Sequence, residues 1–145
     1  MQLDDLTDQQ LLKMRLCDLP VRIEGSLLAP RLKRLFEELR SRGIRFRPYY
    51  WLSEEWFTPD NVPGFAIPFY LAHPRLIRLE RTQMKQAEGS TETECMRILR
   101  HETGHALGNA FHDRKVGGAA RGAIAACLWW DSPRAGSGKP FPSSA

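Results

Sequence analysis

Apolar residues recur at steps of three and four in three stretches of the chain, and a helix-start signal precedes each one. Thr7 and Gln10 stand at capping-box spacing ahead of Leu11, Leu12, Met14 and Leu16, which predicts a short helix over Thr7–Leu16. After Pro20, Ser26 opens a second helix in which Leu28, Leu32, Leu35, Phe36 and Leu39 line one side as far as Gly43. Thr91 and Glu94 repeat the capping-box spacing, and Cys95, Ile98, Leu99, Glu102 and Ala106 then align on one side of a third helix.

Between the second and third helices the period shortens. Ile44, Phe46 and Tyr49–Trp51 sit among Arg45 and Arg47, which predicts a strand showing arginine to solvent, with Pro48 restricting it to a sheet edge or an irregular course. Thr58–Gly64, reading TPDNVPG, is dense in turn formers. Phe65–Leu71 and Leu76–Glu80 then read as two further extended runs, broken at His73 and Pro74. The expected architecture is α+β: two amino-terminal helices and a sheet of about three strands, followed by a long helix.

Composition narrows this picture. A chain of 145 residues with 42% apolar and 26% charged positions suits one globular domain with a buried core. Its longest apolar run, Ala123–Trp130, falls far short of the roughly 20 residues that a helix needs to span a bilayer, so no membrane partner is expected. The acidic, polar start MQLDDLTDQQ does not resemble a secretory signal, which makes the cytoplasm the expected compartment. Cys17, Cys95 and Cys127 are too few and too widely spaced for a disulfide framework or a cysteine zinc site, and they read as reduced thiols. The net charge of +4 is spread along the chain and forms no basic tail.

One boundary does stand out. Ala, Gly, Ser and Pro fill 19 of the last 30 positions against 23 of the first 115, and no glutamate follows Glu102. Residues 1–115 therefore read as the domain, and 116–145 as a low-complexity, poorly ordered tail. Leu128, Trp129 and Trp130 are odd in a flexible linker, so a truncated or altered reading frame stays open beside it.

Residues 101–105 read His-Glu-Thr-Gly-His, an HExxH motif on the third helix. A spacing of four turns a helix by roughly 400°, so His101 and His105 project from nearly the same face and can grip one zinc ion. Glu102 lies beside that face, where it can act as general base toward a water that zinc acidifies. Gly104 fits the same reading, since a helix-interior glycine commonly marks a close approach.

A zinc site needs a third protein donor. The pattern HExxHxxGxxH has its glycine at Gly108, but its last histidine would fall at Phe111, and His112 is displaced by one residue. In a continuous helix His112 shares the face of the other two but lies about 10 Å beyond His105, and a break at Gly108 is needed to bring it back. The other donors weighed are Asp113, Asp131 and His73, the last reading better as a hydrogen-bonded turn residue; a donor absent from this chain also remains open.

Beyond the motif, the chain resembles a bacterial family of zinc-binding metallopeptidases. The stretches that carry the resemblance are RLCDLPVRIEGS, RGIRFRPYYWLSEEWFTPDNVPGFAIPFYLAHPRLIRLER and ECMRILRHETGHALGNAF, within about residues 10 to 112. The resemblance implies a zincin-like fold with His101 and His105 as ligands and Glu102 as catalytic acid/base. Family members continue past this helix into an acidic segment that holds the third ligand, whereas this chain departs from them after about His112.

The expected activity is zinc-dependent hydrolysis of a peptide or protein substrate, aligned by strand addition along an exposed edge at Phe65–Leu71. The alternative is a catalytically incomplete zinc-binding or nucleic-acid-binding module. Arg40, Arg42, Arg45 and Arg47 among Phe46, Tyr49, Tyr50 and Trp51 suit phosphate contact and stacking, but alternation alone already places Arg45 and Arg47 on a solvated face. Tyr49, Tyr50 and Tyr70 are the tyrosines available as oxyanion donors, and Trp51–Phe57 is a further candidate for holding substrate.

Overall fold

A computed structural model describes residues 1–112. Helix α1 (Asp8–Lys13) starts with a complete capping box: Thr7 Oγ1 accepts from Gln10 N at 3.3 Å, and Gln10 Oε1 accepts from Thr7 N at 2.8 Å. Helix α2 (Leu28–Ser41) follows Ser26, whose Oγ accepts from Leu28 N at 3.1 Å. It ends where predicted. Gly43 takes φ +72°, its N–H donates to Arg40 O at 3.0 Å, and Ile44 N donates to Leu39 O at 2.9 Å, the paired bonds of a Schellman closure.

Among the described residues the sheet has two strands, β1 (Tyr49–Ser53) and β2 (Gly64–Pro68), paired in parallel with Trp51 opposite Ala66. Their link, residues 54–63, is shorter than the dozen or more residues that a parallel crossover commonly takes. It closes because the chain returns along the far side of β2, where Ala66 N donates to Phe57 O at 2.8 Å in an isolated antiparallel bridge. β2 is therefore flanked on both sides and buried at every position. The expectation of an exposed edge at Phe65–Leu71 is corrected accordingly, and Phe69–Ala72 is a 3-10 turn.

Leu76–Glu80 is not a strand either. It lies inside helix α3 (Pro74–Met84), which starts from His73: the ring Nδ1 accepts from Arg75 N at 3.1 Å, and Pro74 occupies the first helical position, where its missing N–H costs nothing. Arg75 and Arg81 mark the helix's polar side, Arg75 pairing with Asp8 and Leu6 O, and Arg81 donating to Ser90 Oγ. The stretch from Ile44 to Pro48 is irregular, so β1 begins later than the aromatic pattern suggested.

Helix α4 (Glu92–His112) starts where Thr91 Oγ1 accepts from Glu94 N at 3.2 Å. It packs against both α2 and β2. Leu28, Leu32, Leu35 and Phe36 of α2, Phe65 and Ile67 of β2, and Cys95, Met96, Leu99 and Ala106 of α4 join one core. Each large side chain in it contributes roughly 1.5–3 kcal/mol by burial. Arg100 forks onto Glu38 with two bonds of 2.8 Å, but a half-exposed pair adds at most about 1 kcal/mol, so apolar contact holds α4 in place. Among the described residues no helix is long and apolar enough to cross a membrane.

Candidate metal and catalytic site on helix α4

The helical step of about 100° per residue separates the motif onto two sides of α4. His101 and His105 are exposed, whereas Glu102 is only 8% exposed and Ala106 is fully buried. The two imidazoles stand edge to face with Nε2 atoms 3.1 Å apart. Two nitrogens bound at about 2.0–2.1 Å to one tetrahedral ion stand about 3.3 Å apart, so this pair needs an adjustment of only a few tenths of an ångström to hold zinc. The donor chemistry also fits, since neutral imidazole is a common zinc ligand.

Glu102 does not face solvent as a free carboxylate. Thr58, in the β1–β2 link, donates its hydroxyl to Glu102 Oε2 at 2.6 Å. The same link is fastened to α4 two turns further on, where Asn109 Nδ2 donates to Pro59 O at 3.0 Å and to Val62 O at 2.9 Å. Residues 58–62 are thus tied to the helix at both ends, with the carboxylate at one of them. Neither Thr58 nor Asn109 was marked as functional by the sequence, where one lay in a run of turn formers and the other outside the motif.

The remaining sequence candidates fall elsewhere. α4 is continuous through Gly108, so the backbone of His112 lies two turns, about 10 Å, beyond that of His105. His73 serves as the cap of α3, and its Nε2 lies 4.0 Å from Asp4 Oδ2. Asp113, Asp131, Cys127 and the 116–145 tail lie outside the described residues. Cys95 is fully buried on α4, and burial pushes its thiol up, away from the thiolate that zinc takes. Among the described residues no three His, Cys, Asp or Glu side chains converge.

Gly104 does not mark a close approach. Among the described residues a Cβ built at Gly104 or at Gly108 meets nothing within 4 Å, so with respect to them the strip beside the two imidazoles is open. Of the tyrosines, Tyr70 donates to Glu88 O at 3.1 Å, and Tyr50 packs on Phe36 with ring centroids 6.0 Å apart. The Arg47 guanidinium lies over the Phe36 ring, 4.9 Å from its centroid, on the α2 side of the molecule. Cavities of about 430 and 520 Å³ open between α2 and residues 43–50, and no residue of α4 lines either.

The fold class shown is α+β, built on a small parallel sheet. No family model, curated protein or solved structure matches the chain.

Proposed function

We propose that this protein is a zincin-like, zinc-dependent metallopeptidase that hydrolyses peptide bonds, with His101 and His105 holding the metal and Glu102 serving as general base and acid. The observation that carries the proposal is the pairing of two exposed imidazoles, Nε2 to Nε2 at 3.1 Å, with an adjacent carboxylate fixed at 2.6 Å by a hydroxyl. Zinc bound there supplies Lewis acidity toward a water and a carbonyl. Glu102 takes the proton of the attacking water and later gives it to the leaving amine. Thr58 and Asn109 hold the wall beside the carboxylate, and the open strip at Gly104 and Gly108 leaves space for an extended peptide next to the imidazoles.

The test compares zinc content and hydrolysis of an unstructured protein in four chains. Where a third donor completes the site, wild type is expected to carry near one zinc per chain, and His101→Ala and His105→Ala to lose most of it. Glu102→Gln is expected to keep zinc and lose hydrolysis, since the residue is a base and not a ligand. Equal zinc in all four chains would sink the metal site. Zinc without hydrolysis in wild type would leave the non-catalytic module as the correct reading. His112→Ala tests the third donor, and unchanged zinc affinity removes that residue from the ligand set.

A further inference from the structure

We infer that Thr58 is the positioning residue for Glu102, whose carboxylate its hydroxyl holds in one rotamer; this rests on the peptidase reading above. Two backbone anchors place the hydroxyl. On the amino-terminal side, Phe57 is bridged to Ala66 of the buried strand β2. On the carboxy-terminal side, Asn109 binds the carbonyls of Pro59 and Val62. Thr58 thus has little freedom to follow Glu102, and the carboxylate conforms to the hydroxyl.

The hydroxyl has one proton and two oxygens in reach. Glu102 O is 3.4 Å away, while Oε2 is only 2.6 Å away, so the carboxylate takes the bond. A glutamate on a helix otherwise samples several rotamers, and only some of them bring an oxygen beside His101 and His105. With Oε2 engaged by Thr58, proton exchange with water falls to Oε1. Each carboxylate oxygen then has its own task, and the base is aimed before substrate arrives.

The experiment uses the full chain as wild type, Thr58→Val and Thr58→Ser. Valine keeps the shape and removes the hydroxyl, and serine keeps the hydroxyl. Turnover of the unstructured protein substrate is measured with zinc content and with the side-chain carbonyl carbon resonance of Glu102 in metal-free protein. Thr58→Val is expected to lower kcat about 10- to 100-fold, the scale of a misplaced catalytic group, with KM within about twofold and zinc content unchanged. The Glu102 resonance should move in that variant. Thr58→Ser should restore kcat to within about threefold of wild type and return the resonance.

Unchanged kcat in Thr58→Val overturns the inference, as does a loss that serine fails to rescue. A loss of zinc in Thr58→Val also overturns it, because the residue would then support the ligands and not the base. If wild type hydrolyses nothing, the peptidase reading and the positioning role fall together, and the resonance decides only whether Thr58 holds the Glu102 carboxylate. A Glu102 signal that valine leaves in place refutes the contact, and one that valine shifts and serine restores sustains it.

Discussion

Asn109 offers a direct measure of how firmly the β1–β2 link is held on α4. Its amide donates both hydrogens to backbone oxygens, at 3.0 Å to Pro59 and 2.9 Å to Val62. A typical intramolecular hydrogen bond contributes about 0.5–1.5 kcal/mol net, so two give about 1–3 kcal/mol. Asn109, Pro59 and Val62 are all half-buried, which lets water reach part of the vacated space and sets the expected cost of Asn109→Ala near 2 kcal/mol. With a urea slope of about 1–3 kcal/mol per molar, the unfolding midpoint should fall by about 1 M. Asn109→Asp is the sharper perturbation. It keeps the shape but exchanges a double donor for an acceptor facing two carbonyl oxygens, and it should destabilise more than alanine at pH 7. A midpoint for Asn109→Asp at or above that of Asn109→Ala would refute the assignment of both bonds to the amide nitrogen.

Two further predictions follow from packing and burial. At Gly64 a Cβ would stand 2.5 Å from Tyr49 Cβ and 2.8 Å from Tyr49 O, so Gly64→Ala should cost about 1–3 kcal/mol, whereas Gly104→Ala in open space should stabilise the helix by about 0.5–1 kcal/mol; thermal unfolding showing the opposite order would contradict the register of β1 on β2. Burial pushes the Tyr70 phenol up to about 12, with Glu80, Glu88 and Glu94 adding to it, and burial also raises Tyr50 above the ordinary 10.0. A raised phenol favours the neutral folded state, so its contribution is complete below pH 10.0 and is lost as pH rises toward about 12. Absorbance at 295 nm should show these ionisations delayed beyond pH 10 or coincident with unfolding, and reversible ionisation of every tyrosine near pH 10 in a folded chain would count against it.

Local signals made the helix starts legible. Thr7, Ser26 and Thr91 each bond a backbone N–H two or three residues ahead, an interaction that needs no partner from elsewhere in the chain. HExxH was legible for the same reason, since two histidines four apart on a helix must meet. α3 was missed because His73 and Pro74 read as a break, although histidine can cap and proline suits the first helical position. The short run Leu76–Glu80 carries no period that separates strand from helix. Parallel pairing of β1 with β2 was illegible because Gly64 meets Tyr49 across fifteen positions of sequence, through a return segment of turn-forming residues. Thr58 and Asn109 escaped for a related reason. Each acts on a residue 44 or more positions away, and neither carries a motif.

The division of labour on α4 follows from where its core lies. Cys95, Met96, Leu99 and Ala106 anchor the helix in the shared core, and the fork from Arg100 to Glu38 fixes its outer side to α2. A rigid element presents His101 and His105 already within reach of one ion, so little side-chain freedom is lost when a metal binds them. The residue between these two histidines in sequence that follows His101 directly, Glu102, is turned by about 100° toward β2 and the β1–β2 link. There its Oε2 accepts the Thr58 hydroxyl. Were Glu102 on the open face with the histidines, it would compete as a third ligand; turned inward and held by Thr58, it is left, in the proposed peptidase, for proton transfer. Under the proposed function that placement suits a base better than a ligand, and a third donor would have to come from a different part of the protein than the motif.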